Sequence, residues 1–268
     1  DAGAWGFPSR CQPEVTCNLQ VMVAAIKAAA SRSASLILLP EAYALQSIDG
    51  PFELFVSPEG SRPCNQNQSS QQHVMACSAA LYNISVVANM FVTLMDTSKR
   101  IMEVVYRYDG LVIASYSKHH LAPIVEPPFV AAGPFEPTVF ELDTVCFGLM
   151  ICWEGVYPTV TGDWSQFDAL KRRGADVFLW SIGELVPDSL IGEIFAFKYN
   201  VSLAASQCVA RSVFFDPRGH AVPVRSVDSV PLTIQHYTAH AAVSVVDLPA
   251  PQTQLCNMSS AASARASV

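Results

Sequence analysis

Charge is scarce in this chain of 268 residues: Lys and Arg number 16 and Asp and Glu 23, for a net charge of −7, and charged residues make up only 15%, against about 25% in ordinary soluble domains. With a pI near 5.3 and no dense Lys/Arg patch, the composition argues against a sequence-independent nucleic-acid binder, because phosphate neutralisation takes clustered cations. Long apolar runs are missing too. The longest, Thr144 to Trp153, stops at Glu154, well short of the roughly 18 residues of a membrane span. No basic segment leads into an apolar stretch at the start, so Asp1 reads either as a mature N-terminus left by signal cleavage or as a boundary. Neither a phosphate-binding loop nor a dinucleotide fingerprint occurs.

Apolar residues are plentiful instead. At 51% hydrophobic and a mean hydropathy of +0.28, the chain fills a sizeable core, which excludes disorder as the dominant state. Four Asn-x-Ser sequons, at Asn67, Asn83, Asn200 and Asn257, accompany eight cysteines, at 11, 17, 64, 77, 146, 152, 208 and 256. Together they favour the secretory pathway, where glycans would solubilise a surface poor in charge. Asn200 is the doubtful sequon, since Val201-Ser202-Leu203 enters an apolar strand. Cys146 and Cys152 lie roughly 20 Å apart along one strand at about 3.3 Å per residue, beyond the Cα separation of about 7 Å that a disulfide spans. Cys64 and Cys77 flank a polar loop and are able to close it, Cys11 and Cys17 are sequence neighbours, and Cys208 with Cys256 is a long-range option; spacing leaves the connectivity open.

Periodicity predicts a helix over 16–30, capped by Thr16 or Asn18, then a short strand Leu36 to Leu39 buried on both faces and closed by Pro40-Glu41. A helix over 72–81 and a strand over 84–91 follow. Asp109-Gly110 between two β-rich runs, 101–108 and 111–116, predicts a hairpin. Strands over 145–151, 177–181 and 201–205 alternate with helices over 164–173 and 190–200, the signature of an α/β layered domain. The expected organisation is one domain over 1–248 and an Ala/Ser/Pro-rich tail over 249–268.

Three of these strands end in a chemically able residue: Glu41, Lys118 and Cys152. Ligand crevices in α/β sheets lie beyond the carboxyl ends of strands, so the three side chains are placed to converge. Glu41 would serve as general base, Cys152 as nucleophile, and Lys118 as the cation that stabilises thiolate and tetrahedral charge; the Trp153 amide would complete an oxyanion site. Singly, each has an ordinary reading: Cys152 as core filler, Glu41 as a cap, Lys118 as a loop charge. Adjacent His119-His120 cannot both reach one metal from extended backbone, and His236 and His240 lie in a strand-like run, so neither pair suggests a metal centre.

Tyr-Ser-Lys118-His-His-Leu and Phe147-Gly-Leu-Met-Ile-Cys152-Trp-Glu, with Leu-Leu-Pro-Glu41, resemble the Glu–Lys–Cys segments of the nitrilase, or carbon–nitrogen hydrolase, superfamily. The similarity is closest to its secreted vanin/biotinidase branch, through Pro63-Cys64, Val74-Met-Ala-Cys77 and Val86-Val-Ala-Asn89, and covers about residues 16–210. The resemblance implies an α/β fold of the α-β-β-α four-layer sandwich type, hydrolysis of a small linear amide through a cysteine thioester, and no metal or other cofactor. It also matches Glu126 to an additional glutamate beside the lysine, a position whose ordinary reading is a loop charge, and aligns Cys64 and Cys77 with half-cystines of the branch.

The departures are specific. Residues 1–12 lack the first strand's pattern, Trp180-Ser-Ile-Gly-Glu184 lacks the branch's Thr-Ala-Trp, Gln207 replaces an asparagine, Trp153-Glu154 reads more like true nitrilases, and the branch's C-terminal β domain is mostly absent. The leading expectation is a secreted thiol amidohydrolase with a small-molecule amide substrate, alone, as a homo-oligomer or with a partner chain, and without nucleic-acid partners. The competing readings are a catalytically inactive nitrilase-fold extracellular scaffold or binding protein, and a cytoplasmic amidase. With Cys152 as nucleophile, seven cysteines remain, so at least one further thiol stays free; buried, mid-strand Cys146 is the expected one.

Overall fold

The computed structural model describes residues 14–41, 53–65, 70–123, 125–183, 188–207, 212–222, 225–226, 230–234, 237–241, 244–245 and 256. The expected lack of a first strand over 1–12, Cys11, Asn67, Glu184, Cys208, His236, Asn257 and the tail apart from Cys256 fall outside them, with the side chains of Cys17 and His240.

Helix α1 (Glu14–Ala30) leads into strand β1 (Leu36–Leu38); after β2 (Glu53–Leu54) come α2 (Gln71–Tyr82) and the antiparallel strands β3 (Ser85–Thr93), β4 (Lys99–Tyr106) and β5 (Val112–Ser117). Thr16 and Asn18 therefore lie inside α1 rather than capping it. A 3-10 turn at Pro63–Asn65 precedes α2, whose start is capped by the Ser70 hydroxyl accepting from the His73 N–H. These strands form one sheet in the order β1-β3-β4-β5, with β2 pairing parallel to β3. β1 is only partly buried along its length, not buried on both faces as its composition predicts; among the described residues it pairs on one side only, parallel to β3. The β4–β5 turn uses Gly110 at φ 77°, where its N–H donates to the Arg107 carbonyl and a Cβ would meet the Ala76 carbonyl oxygen at 2.8 Å.

The second sheet runs β10-β9-β8-β7-β6, built from β6 (Val139–Leu142), β7 (Val145–Ile151), β8 (Val177–Ile182), β9 (Ser202–Gln207) and β10 (Val213–Phe215), with β7, β8 and β9 parallel. Helices α3 (Trp153–Thr161), α4 (Ser165–Arg172) and α5 (Asp188–Tyr199) connect them. The short strands β11 (Arg225–Ser226), β12 (Val230–Ile234), β13 (Tyr237–Ala241) and β14 (Ser244–Val245) form two small ladders, β11 with β14 and β12 with β13.

Period-2 alternation sorts the side chains of the first sheet. Val86, Ala88, Met90, Val104 and Tyr106 pack with Met22 and Ile26 of α1 and Met75 and Ala79 of α2. Their neighbours Val87, Phe91, Ile101, Val105, Ala114 and Tyr116 join the core of the second sheet, which α4 and α5 cover with Phe167, Leu170, Phe195 and Tyr199. The architecture is thus an α-β-β-α sandwich. β1 and β5 both run parallel to β3, so Glu41 and Lys118 leave the first sheet at the same edge. Among the described residues, no helix is long and apolar enough to cross a membrane.

Candidate active site

At that edge the predicted residues meet. Lys118 Nζ donates to Glu41 Oε1 at 2.7 Å and to Glu126 Oε1 at 2.6 Å, and the Cys152 thiol lies close enough to the Glu41 carboxyl and the Lys118 ammonium to feel both. Glu41 and Lys118 are fully buried, and Glu126 and Cys152 nearly so. Glu126 is fixed by its own turn: Oε2 accepts from the Ala122 N–H at 2.8 Å while its carbonyl accepts from Phe129 and Val130.

Removing charges from water is costly, and a buried cation keeps its proton only if paired. Burial alone lowers the Lys118 pKa, but Glu41, Cys152 and Glu126 outweigh it and hold the ammonium well above its ordinary value. Burial raises the Glu41 pKa, with Lys118 opposing and Glu126 adding. Burial also pushes the Cys152 thiol well up, reinforced by Glu41 and opposed by Lys118 and the Gly183 amide, which donates toward the sulfur. A protonated thiol thus faces a carboxylate whose basicity burial has increased, with a permanent cation beside both.

Strand β7 ends in a sharp elbow. Cys152 adopts φ 43°, ψ −106°, an uncommon conformation for a residue with a Cβ, held only where the surroundings over-determine it. Here its N–H donates to the Ser181 carbonyl at 2.7 Å, and its carbonyl accepts from Trp180 Nε1 at 2.9 Å and from the Gly155 N–H at 3.0 Å. Gly155 is required because an added Cβ would lie 2.2 Å from the Trp180 ring. The half-buried Trp153 opens α3, where first-turn N–H groups have no partner within the helix.

Glu154 ties the lysine and cysteine arms together. Its Oε1 accepts from the Tyr116 hydroxyl at 2.5 Å and from the N–H groups of His119 at 2.8 Å and His120 at 3.2 Å; its Oε2 accepts from the Ile151 N–H at 2.8 Å. Gln166 donates to the Tyr116 oxygen at 2.9 Å and lies 3.1 Å from His120 Nδ1, and His120 stacks on Tyr157 at 3.8 Å between centroids. Neither Glu154 nor Gln166 figures among the site residues expected from sequence. A carboxylate two residues past Cys152, inside an otherwise apolar stretch, was the available signal.

The family model for carbon–nitrogen hydrolases matches residues 4–180. The chain belongs to the carbon–nitrogen hydrolase family. It is accordingly a hydrolase of the class that acts on carbon–nitrogen bonds. The fold is shared with the amidase of Nesterenkonia sp. AN1, in a form with acrylamide added at its active-site cysteine, at TM-score 0.65 and 19% identity over 89% of each chain. It is shared also with Nit3 of Saccharomyces cerevisiae, a member of branch 10 of the nitrilase superfamily, at TM-score 0.63 and 17% identity over 78% of this chain and 79% of that one. Comparison with curated proteins finds no match.

Around Glu41, Lys118 and Cys152, the hydrolase carries two disulfides among its described residues. Cys64 and Cys77 are bonded across a Cα separation of 4.8 Å, as expected. Cys146 is bonded to Cys256, with Cα atoms 5.3 Å apart, so it is not the free thiol expected, and the Cys208–Cys256 option is superseded. Cys256 lies against the start of β7, a long-range approach that the apolar run of that strand does not encode. Cys152 is the free cysteine among the described residues. Asn83 and Asn200 are both exposed at left-handed positions, φ 52° and 48°, just past α2 and α5. Such positions favour asparagine without any glycan. His119 and His120 point their Nδ1 atoms to the Gly133 carbonyl and to Gln166 respectively.

Proposed function

We propose that the hydrolase is a secreted thiol amidohydrolase of the vanin/biotinidase type that cleaves a small linear amide through a Cys152 thioester. The observation that carries the reading is the convergence of three buried groups, Cys152, Glu41 and Lys118, the last two 2.7 Å apart. Glu41 takes the thiol proton as sulfur attacks the amide carbonyl, so negative charge passes from carboxylate to sulfur and then to the tetrahedral oxygen. Lys118 and the Trp153 N–H receive that oxygen, an arrangement whose donors are already oriented before reaction. Glu41 then protonates the departing amine, and the carbon–nitrogen bond breaks to leave the thioester. Water, giving its proton to Glu41, attacks the thioester, and the thiol leaves with that proton restored. Glu126 keeps Lys118 in place through both halves.

The Cys64–Cys77 bond and the sequons support a secretory setting, and the sequons at Asn83 and Asn200 are accessible to a glycan. The scaffold reading draws on the Trp180–Glu184 segment and Gln207, where the chain departs from the branch. Intact-mass analysis of glycosylated protein incubated with pantetheine-like and biotinyl amides decides between them. An acyl adduct on Cys152, lost in Cys152→Ala and formed far more slowly in Glu41→Gln, is expected; an unreactive Cys152 in the folded protein overturns the amidohydrolase.

A further inference from the structure

Glu103 lies between the two sheets with no exposure, and the catalytic proposal gives it nothing to do. It sits mid-β4, opposite Asn89 of β3 and Tyr116 of β5. Its Oε1 is in hydrogen-bond contact with the Ser181 hydroxyl, and its Oε2 has no partner. The Ser181 hydroxyl also donates to the Leu39 carbonyl at 3.0 Å, two residues before Glu41. The Ser181 carbonyl receives the Cys152 N–H at 2.7 Å, and β4 itself, through the Ile101 carbonyl, receives the Lys118 N–H at 2.9 Å. Glu103 and Ser181 therefore touch the backbone of all three arms that carry the triad.

Proton counting sets the ionisation of this pair. A hydroxyl has one proton, yet the Ser181 oxygen is close to two acceptors, the Leu39 carbonyl and Glu103. An ionised Glu103 would leave one contact without a proton and a charged oxygen, Oε2, buried and bare. A carboxylic acid resolves both: its O–H donates to Ser181, Ser181 donates to Leu39, and the remaining carbonyl oxygen is merely polar. We infer that Glu103 is a positioning residue which, as a neutral acid, donates to the Ser181 hydroxyl and thereby registers the Glu41 and Cys152 arms against the strand that anchors Lys118.

The electrostatics agree. Burial pushes the Glu103 carboxyl well above the usual carboxylate range, the Ser181 hydrogen bond opposes this, and the nearby Glu154 and Glu41 add to it. Neutrality also spares Glu41 and Glu154 a further negative neighbour. The inference rests on the amidohydrolase reading for its functional meaning, while the geometry is independent of substrate.

The test compares wild type with Glu103→Gln, Glu103→Leu and Ser181→Ala, using iodoacetamide as the probe of Cys152 and intact mass to follow carbamidomethylation. Glutamine keeps a neutral donor toward Ser181, so E103Q is expected within about threefold of wild type, whereas E103L and S181A, losing the register, fall by about tenfold or more. Infrared difference spectra of wild type against E103Q at pH 7 are expected to show the carbonyl stretch of a buried carboxylic acid. E103Q reacting as slowly as E103L, E103L reacting like wild type, or absence of the acid band overturns the inference. If E103L fails to fold, the contrast between S181A and E103Q carries the test. An inert wild-type Cys152 defeats the amidohydrolase reading instead, and the infrared band then decides the state of Glu103 alone.

Discussion

Replacing Glu154 by glutamine keeps its shape and removes one acceptor. Four donors converge on the carboxylate, three on Oε1 and the Ile151 N–H on Oε2. The least damaging placement of the amide puts its oxygen at Oε1 and its NH2 against the Ile151 N–H, donor facing donor. One hydrogen bond to a charged group is lost, worth about 1.5–3 kcal/mol, and a buried N–H is left unpaired at about 1–3 kcal/mol more. Allowing for relaxation, E154Q should lose about 3 kcal/mol of stability. Ile151 immediately precedes Cys152, so the loss also shifts the elbow, and a misplacement of about 1 Å at a reacting group costs roughly 10²-fold in rate. Urea unfolding should show a lower midpoint at unchanged slope, and alkylation of Cys152 should slow in parallel. A variant within about 0.5 kcal/mol of wild type, with Cys152 equally reactive, would refute the reasoning.

Three further outcomes follow from the geometry. Gly155→Ala drives a methyl to 2.2 Å from the Trp180 ring, so it should cost about 2 kcal/mol or more in thermal or chemical unfolding, and its Cys152 should react more slowly with iodoacetamide. Reducing Cys64–Cys77 by Cys64→Ala/Cys77→Ala opens a loop with a sequence separation of 13, a loss of about 3 kcal/mol in the chain-entropy picture, read as a lower denaturation midpoint. Asp109 accepts from Arg107 and Arg62, and these contacts lower its pKa from 3.8 to about 2 in the folded chain. A depressed folded pKa stabilises above the unfolded value and is lost as pH falls through the folded one. Asp109→Asn should therefore cost about 1 kcal/mol or less at pH 7, because the site is partly exposed, and the difference from wild type should close on acidification toward pH 2; a gap that persists unchanged would argue against the ion pairs.

Legibility followed the range of the forces involved. β7 could be read residue by residue and the β4–β5 hairpin to within two residues, because an unbroken apolar run and Asp109-Gly110 are local signals. Helix α3 could not: Trp153-Glu-Gly-Val-Tyr-Pro-Thr-Val-Thr161 holds an internal proline and several β-branched residues, yet it is helical. Packing of Gly155 beneath Trp180 and the bonds to the Cys152 carbonyl override its propensity. β1 misled in the opposite sense, since its Leu-Ile-Leu composition does not say that each of these residues stays partly exposed. Cys146 misled because burial mid-strand looks the same whether or not a distant segment returns to that strand's first turn.

The family and the Glu41, Lys118 and Cys152 cluster were both written in short segments that follow strand ends, because strands running the same way in a layered α/β fold emerge on the same side. Tertiary structure decided the rest. Glu41 and Lys118 are separated by 77 residues, and no local periodicity encodes that Glu126 shares the lysine, that Glu154 gathers four donors, or that Glu103 and Ser181 lie against all three arms. Those assignments come from burial, which makes each unpaired charge and each orphan N–H costly enough that distant groups must satisfy one another.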